Sequence, residues 1–194
     1  ATPFRGELQK AIISSLNHEI RNACKLLKIR RKHIYEVLIV GNSTMRDLFF
    51  GLDVQSIGQK PYKSLTEHEL NKGKRNSTTL HSTAKELGIQ MSIQGLVYGA
   101  PIIASHIGAD VAADLIATKM DTEDNKIQML IDIGTNTEVI IGNKHGMLAA
   151  SCPAGPAFEG GEVNTVCQDM PVLLNPLLYW KIILYGIKQS TISQ

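Results

Sequence analysis

The segment from residue 127 to residue 152 constrains the fold more than any other part of the chain. An apolar run enters the turn Asp132-Ile133-Gly134-Thr135-Asn136, and a second apolar run leaves it. The polar sequence Asn-Lys-His-Gly at residues 143–146 then precedes a third run. Short apolar runs separated by Gly, Asn and Asp are typical of strands joined by tight turns. The pattern predicts a three-stranded antiparallel meander over residues 127–152.

The D-x-G-T turn of this meander has two interpretations. Asp132 stands at the end of a strand, where its carboxylate could position Mg²⁺ or a water molecule, and Thr135 could donate its hydroxyl to a phosphate. Successive backbone amides in such a turn form an anion-binding concavity, and Gly134 permits close approach of the backbone. The alternative is a plain hairpin in which Asp, Gly, Thr and Asn only serve the turn. A motif this short favours the plain hairpin when it is taken alone.

Four blocks of the chain together resemble one protein family. They are residues 40–45 (VGNSTM), 48–52 (LFFGL), 105–110 (SHIGAD) and 130–160, the last of which ends in AGPAFEG. Their order and approximate spacing are similar to those of the reductive activators of corrinoid proteins. These are iron–sulfur ATPases whose C-terminal domain belongs to the actin, sugar-kinase and heat-shock-ATPase superfamily (ASKHA). The resemblance covers roughly residues 1–162.

The resemblance implies an α/β fold of the actin and sugar-kinase type, which is ribonuclease-H-like. A complete ASKHA cleft uses two D-x-G-type hairpins, whereas this sequence carries one D-x-G-T. We therefore expect residues 1–162 to form a partial, incomplete ASKHA ATPase domain and the chain to be an internal fragment. Residues 163–194 form an atypical tail whose apolar run at 171–187 does not resemble the family. A buried core segment and a translated frameshift are the two interpretations of that tail.

The resemblance also assigns ATP and Mg²⁺ as cofactors and names candidate residues for them. Asp132 is the expected metal ligand. Asp132 and Glu138 are the candidate catalytic residues, Glu138 as a supporting polar group. Gly134, Thr135 and Asn136 are expected to meet the phosphates.

A second strand-to-helix turn contributes further candidates. Gly41, Asn42 and Thr44 lie in the sequence Gly-Asn-Ser-Thr, which in the resembled family lines the cleft. Plain capping of the following helix by Asn42 or Ser43 is the alternative. Gly155, in a stretch rich in Gly and Pro, is the last residue expected near nucleotide.

The parent protein implied by the resemblance hydrolyses ATP to drive an electron from a [2Fe–2S] cluster to the cobalt of an inactivated corrinoid protein. Co(II) thereby returns to Co(I) for methyl transfer. The cluster is expected only in a part of the parent that this chain lacks, and the isolated chain is expected to be inactive. The alternatives are an ASKHA-type small-molecule kinase and a truncated, non-catalytic binding module. Such a module would form a homodimer through a helix rich in small residues at 104–113.

Composition excludes several classes of partner and environment. The formal net charge of the 194-residue chain is +2, which gives no general attraction to nucleic acid or to a membrane surface. Cys24, Cys152 and Cys167 have neither an even count nor C-x-x-C spacing, so the sequence predicts neither a disulfide framework nor a metal set. With no signal or transit pattern, a reducing cytoplasm is the expected location.

Periodicity predicts the remaining elements. An amphipathic helix is expected over residues 8–27, a buried strand of a parallel or mixed sheet over 34–40, and a helix over 44–50 that Gly51 ends. Residues 59–82 are expected to be a long loop or strand-poor insertion, and residues 89–97 an edge strand. Pro101 is expected to open a helix on which His106 and Asp110 share one face.

Overall fold

The computed structural model describes residues 6–153 and residue 155. The chain alternates helices and strands in two three-stranded sheets. The helices are α1 (Glu7–Leu26), α2 (Ser43–Phe49), α3 (Leu65–Asn71), α4 (Ala84–Leu87) and α5 (Ala109–Thr118), with short 3-10 turns at Arg31–His33 and Gln55–Gly58. The strands are β1 (Glu36–Ile39), β2 (Leu80–Thr83), β3 (Leu96–Gly99), β4 (Gln128–Ile133), β5 (Asn136–Asn143) and β6 (Gly146–Pro153).

The first sheet is mixed and has the strand order β1-β3-β2. β1 runs parallel to β3, and β2 runs antiparallel to it. The predicted strand at 34–40 is confirmed, with Val37 and Ile39 buried. The predicted helix at 8–27 is also confirmed, and its buried stripe of Ile13, Leu16, Ile20 and Cys24 packs with Val37 and Val97 in the largest core cluster.

The second sheet is the predicted antiparallel meander, with the order β4-β5-β6. Asn143 and Gly146 pair at the turn between β5 and β6, as expected. One face of this sheet packs against α5, since Val111 of the helix, Met120 and Ile140 are buried together. Ala109, two residues earlier, belongs instead to a cluster with Ala100 and Ile102 beside the first sheet. α5 therefore bridges the two sheets.

The α2 region follows the sequence prediction closely. The Asn42 side chain accepts a hydrogen bond from the Met45 amide at 2.9 Å, which is N-capping. Gly51 follows the helix with a φ of 73°, a conformation that glycine adopts without steric cost.

Three sequence predictions are wrong. For residues 59–82 the long-loop alternative is wrong, because the stretch includes α3 and most of β2, whereas the alternative of a strand-poor insertion agrees with the structure. The signal for α3 was present in the sequence. Ser64 caps the Glu67 amide, three residues on, in the Ser-x-x-Glu pattern that marks helix starts. The expected edge strand at 89–97 is mostly a turn closed by the Gly95 amide on the Ser92 carbonyl, and only its end enters β3, the central strand.

The third wrong prediction is the helix opened by Pro101. Residues 101–108 form a loop, and α5 begins at Ala109. Tertiary contacts hold the loop, because both the amide and the hydroxyl of Ser105 donate to the Glu67 carboxylate. The proposed small-residue helix at 104–113 is therefore only half helical, and Ala109 is fully buried within the fold rather than offered to a partner. Within the described residues, no helix is long and apolar enough to span a membrane.

Candidate functional site

The β4–β5 hairpin brings the two candidate catalytic carboxylates together. Asp132 of β4 pairs directly with Glu138 of β5, and Glu138 pairs with Ser151 of β6. Residues opposite each other in an antiparallel pair project from the same face of the sheet. Ile140, two residues beyond Glu138, is buried against α5, so both carboxylates lie on the face that the helix covers.

Hydrogen bonds within the hairpin turn decide which of its groups are already engaged. The Gly134 amide donates to the Asn136 carbonyl at 2.9 Å. The Gly155 amide donates to the Thr135 carbonyl at 2.8 Å, and Gly155 has a φ of 84°. The structure therefore places Gly155 beside the D-x-G-T turn, whereas its expected proximity to nucleotide stays a prediction. It also shows that the Gly134 amide closes the turn, so this amide reaches a phosphate only if the turn opens.

A third carboxylate, that of Asp110 in α5, lies close enough to Glu138 for their charges to interact. Burial raises the pKa of Asp110, and the negative charges of Glu138 and Asp114 raise it further. Burial is also the main cause that raises the pKa of Glu138, and the charge of Asp132 adds to it, while a 2.8 Å hydrogen bond from the Ser151 hydroxyl opposes the rise. Negative charge is therefore concentrated between the hairpin and the start of α5, where a cation would relieve the repulsion.

The Gly41–Asn42 turn lies on the other side of the same helix start. The Gly41 carbonyl accepts the Ala109 amide at 2.9 Å. A Cβ at Gly108 would lie 2.6 Å from both the Asn42 Cα and the Gly41 carbonyl oxygen, so the two backbones are in close contact there. Thr44 is half-buried in the first turn of α2. The start of α5 thus joins the two candidate turns, which lie far apart in sequence.

The structure separates His106 and Asp110, which the sequence analysis predicted to share one face of a helix. His106 lies in the loop before α5 and packs near Tyr62, with ring centroids 6.3 Å apart and the rings tilted by 58°. Asp110 lies in the first turn of α5. The shared helical face predicted for His106 and Asp110 is therefore wrong, and Asp110 faces Glu138 instead.

Two polar groups near the hairpin were missed as site residues. Ser151 could have been found from the strand register, because it is the residue of β6 that pairs with Glu138. Asp110 was noticed in the sequence, but only as a partner for His106. Its relation to the hairpin depends on how α5 packs, and no local pattern contains that information.

Asp132 and Glu138 are the described residues that could contribute ligands to a metal ion. Among the described residues, no group of three or more His, Cys, Asp or Glu side chains is arranged to hold an ion. Mg²⁺ usually takes one or two carboxylates and completes its shell with substrate phosphates and water. Asp132 and Glu138 on one sheet face meet that requirement.

Comparisons with known proteins agree with this architecture. Residues 4–123 match the model of the RACo middle region, and residues 126–171 match that of the C-terminal domain of RACo, the ASKHA domain. The boundary between the two models falls in the charged turn before β4. The α/β, incomplete ASKHA fold expected from the sequence is confirmed, whereas the division at residue 162 stays a prediction, and the tail at 163–194 lies outside the described residues.

A curated relative and a solved structure support the same family. The chain is 30% identical over 155 residues to the corrinoid activation enzyme RamQ of Eubacterium limosum. The aligned region covers 79% of this chain and 24% of that protein. The chain is 33% identical to a reductive activator for corrinoid, iron-sulfur protein, with a TM-score of 0.73 over 82% of this chain and 24% of that one. The chain therefore spans about a quarter of the length of these relatives. It belongs to the RACo family of reductive activators of corrinoid proteins.

Proposed function

We propose that this chain is part of an ATP-dependent reductive activator. In the whole protein, ATP hydrolysis drives one electron from a [2Fe–2S] cluster outside this chain to the Co(II) of an inactivated corrinoid protein, which becomes Co(I). The corrinoid is then the partner's cofactor. The observation that carries the proposal is the D-x-G-T hairpin with Asp132 opposite Glu138, in a chain whose relatives are named as corrinoid activators.

The role of this chain's residues is to position the nucleotide and balance its charge. Bound Mg-ATP would supply the phosphoryl group and the cation, and phosphoryl transfer requires chiefly positioning and electrostatic stabilisation from the protein. Asp132 would orient the cation or the attacking water. Glu138 and Asp110 add negative charge on the same face, which favours a divalent cation there. Gly155, held to Thr135, would border the phosphates.

The Gly41–Asn42 turn would contribute indirectly. Because the Gly41 carbonyl holds the Ala109 amide, this turn fixes where α5 starts and hence where Asp110 stands. Asn42 is engaged in capping α2, so we assign Gly41, Asn42 and Thr44 to the support of the cleft wall.

Nucleotide binding is tested first on the chain itself. A fluorescent ATP analogue with Mg²⁺ is titrated into the wild-type chain, the Asp132→Asn variant and the matched control Asp121→Asn, whose side chain is exposed in the turn before β4. We expect binding that D132N weakens and D121N leaves unchanged. Equal affinity in all three would show that Asp132 does not contact the nucleotide or its cation.

Activity is tested in a chimera, since the chain spans only a quarter of its relatives. Residues 4–155 of this chain replace the matching part of RamQ, and reduction of Co(II) to Co(I) is followed by visible absorption in the presence of ATP. We expect D132N to lower the rate on the order of 100-fold, as for loss of one group that stabilises a transition state. A folded chimera that binds ATP without reducing cobalt would contradict the activator function.

A further inference from the structure

The face of the second sheet that points away from α5 is apolar and uncovered within the described part of the chain. We call it the outer face. The exposed large apolar side chains on it include Leu148 (82%), Met129 (61%), Ile133 (59%) and Ile131 (49%). Register aligns these residues, because Ile131 pairs with Val139 and Ile141 pairs with both Met129 and Leu148.

The outer face also lacks charge. Its strand positions are Met129, Ile131, Ile133, Thr137, Val139, Ile141, Asn143, Gly146, Leu148, Ala150 and Cys152, of which Thr137 and Asn143 are polar and none is charged. An antiparallel sheet with one side in water normally alternates apolar and polar residues. Here the outer side is apolar too, which is the pattern of a sheet covered on both faces. Apolar patches of this kind on soluble proteins mark interaction surfaces.

The chain itself contains a segment of matching chemistry beyond the described residues. Residues 171–187 read PVLLNPLLYWKIILYGI, in which Lys181 is the one charged residue. An apolar run that carries so little charge needs a surface to cover it in water. It is too short, and too interrupted by Asn175, Pro176 and Lys181, for a membrane span.

The stretch that connects β6 to the apolar segment is long enough to let the segment reach the outer face and short enough to keep it nearby. β6 ends at Pro153, which pairs with Asn136 in the same sheet, and Gly155 is tied to Thr135. Residues 156–170 then lead to the apolar segment and can reach about 50 Å when extended, which exceeds the roughly 27 Å length of an eight-residue strand. A covalently linked segment also acts at an effective concentration on the order of millimolar, which a second copy matches only in concentrated solution.

We propose that the segment 171–187 docks on the outer face of the β4–β5–β6 sheet and covers Met129, Ile131 and Leu148. This docking gives the sheet its second apolar layer from within the same chain. It also assigns a structural role to a part of the sequence that does not resemble the rest of the family.

Site-specific cross-linking of the full chain tests this proposal. Cys152 lies exposed on the outer face, Cys24 is buried, and Cys167 is replaced by Ser. A photoreactive benzophenone attached to the Cys152 thiol is activated in an equal mixture of isotope-labelled and unlabelled chains, and the cross-linked peptides are identified by mass spectrometry. We expect Cys152 to join residues 171–187 of the same chain. Mixed-isotope peptides that join two outer faces would instead identify a second copy as the occupant and overturn the proposal.

Oxidation of Met129 gives a second readout that needs no label at Cys152. Leu177→Asp combined with Leu178→Asp should release the segment and raise the rate of Met129 oxidation by peroxide several-fold. Gln189→Asp combined with Ser190→Asp, just beyond the segment, adds the same charge and should leave the rate unchanged. Met45, on α2, serves as the internal reference. Equal Met129 oxidation in the two double variants, without intramolecular cross-links, would overturn the proposal.

Discussion

Arg46 is the residue that most tightly ties separate parts of the chain together. The residue is 1% exposed, and its side chain donates to the carbonyls of Thr78 and Ala100, to the Thr66 hydroxyl, and to the Asp47 carboxylate at 2.7 Å. The planar guanidinium suits this role because its donors point in several fixed directions. One charged side chain therefore holds α2, α3 and the segments that flank β2 and β3.

Removal of this charge should be strongly destabilising. In Arg46→Met the Asp47 carboxylate loses its cation while it stays buried, and breaking one partner of a buried ion pair costs about 3–5 kcal/mol. Urea unfolding followed by circular dichroism measures the loss. Arg21→Met, at an exposed position of α1, is the control and should change stability by less than about 0.5 kcal/mol. Similar midpoints for the two variants would show that Arg46 does not hold the fold.

Glu138 should make stability depend on pH in a definite direction. Its pKa is raised above the ordinary value of 4.5 by burial and by Asp132. The folded chain therefore holds this proton more tightly than the unfolded chain, and ionisation costs stability as the pH rises from 4.5 through the raised pKa. Glu138→Gln should unfold at higher urea than wild type at pH 7, and the difference should shrink as the pH falls towards 4.

A matched substitution isolates the cause of that effect. Glu19→Gln removes one carboxylate from an exposed position of α1 and should not reproduce the stabilisation. If E138Q is no more stable than wild type at pH 7, the carboxylates do not repel one another in the folded chain. A gain in stability with loss of nucleotide binding would be the pattern of a residue kept for function at the expense of stability.

Among the elements, α5 depends most on its neighbours for where it begins. Gly108 precedes it without a side-chain cap and has an ordinary φ of −78°. Glycine is required here because a side chain would not fit, whereas the backbone conformation would accept other residues. A Cβ there would lie 2.6 Å from the Asn42 Cα, a backbone atom that cannot move aside easily.

Gly108→Ala should therefore push α5 away from the Gly41–Asn42 turn. Overpacking of this kind costs about 1–3 kcal/mol, and a shift of α5 would also displace Asp110 from Glu138. Gly58→Ala is the matched control, since a Cβ at Gly58 meets nothing within 4 Å. Thermal unfolding compares the two variants. The close-packing argument is wrong if G108A and G58A unfold at the same temperature.

At the scale of the whole molecule, the described chain has separate cores, and α5 contributes Ala109 to a small cluster beside the first sheet and Val111 to the cluster under the second sheet. The largest surrounds Val37, Val97 and the buried stripe of α1, whereas Ile140 and Met120 pack with Val111 under the second sheet. Different parts of one chain can open separately when they bury different cores. The second sheet is the smaller unit and contains the candidate site.

Hydrogen exchange should resolve these two units. Ile140→Ala removes a fully buried side chain, costs about 2–5 kcal/mol, and should raise exchange in β4, β5 and β6 while β1 and β3 stay protected. Val97→Ala should raise exchange in β1 and β3 while β4, β5 and β6 stay protected, because Val97 is buried in the largest core cluster. Mass spectrometry of deuterium uptake gives both patterns. Uniform loss of protection in I140A would show that the chain unfolds as a single unit.

Only part of the candidate site could be predicted from the sequence. Asp132, Glu138 and Gly155 were named from the D-x-G-T motif and the family resemblance, and the structure shows that they lie in one hairpin and its exit. Their roles stay predictions. The contribution of Asp110 was missed, since its neighbours come from β5 and from the Gly41–Asn42 turn. Pro101 suggested a helix start, but the bonds from Ser105 to Glu67 hold that stretch as a loop.

The sequence by itself determined the amphipathic helix α1, the buried strand β1, the capped helix α2 and the three-stranded meander, because their periods and turn residues are local. It also determined the family, through blocks whose order is preserved along the chain. Only the tertiary structure decided that α5 starts at Ala109, that β3 is a central strand, and that Asp110 faces Glu138. These features depend on contacts between residues distant in sequence, and such contacts leave no local periodicity to read.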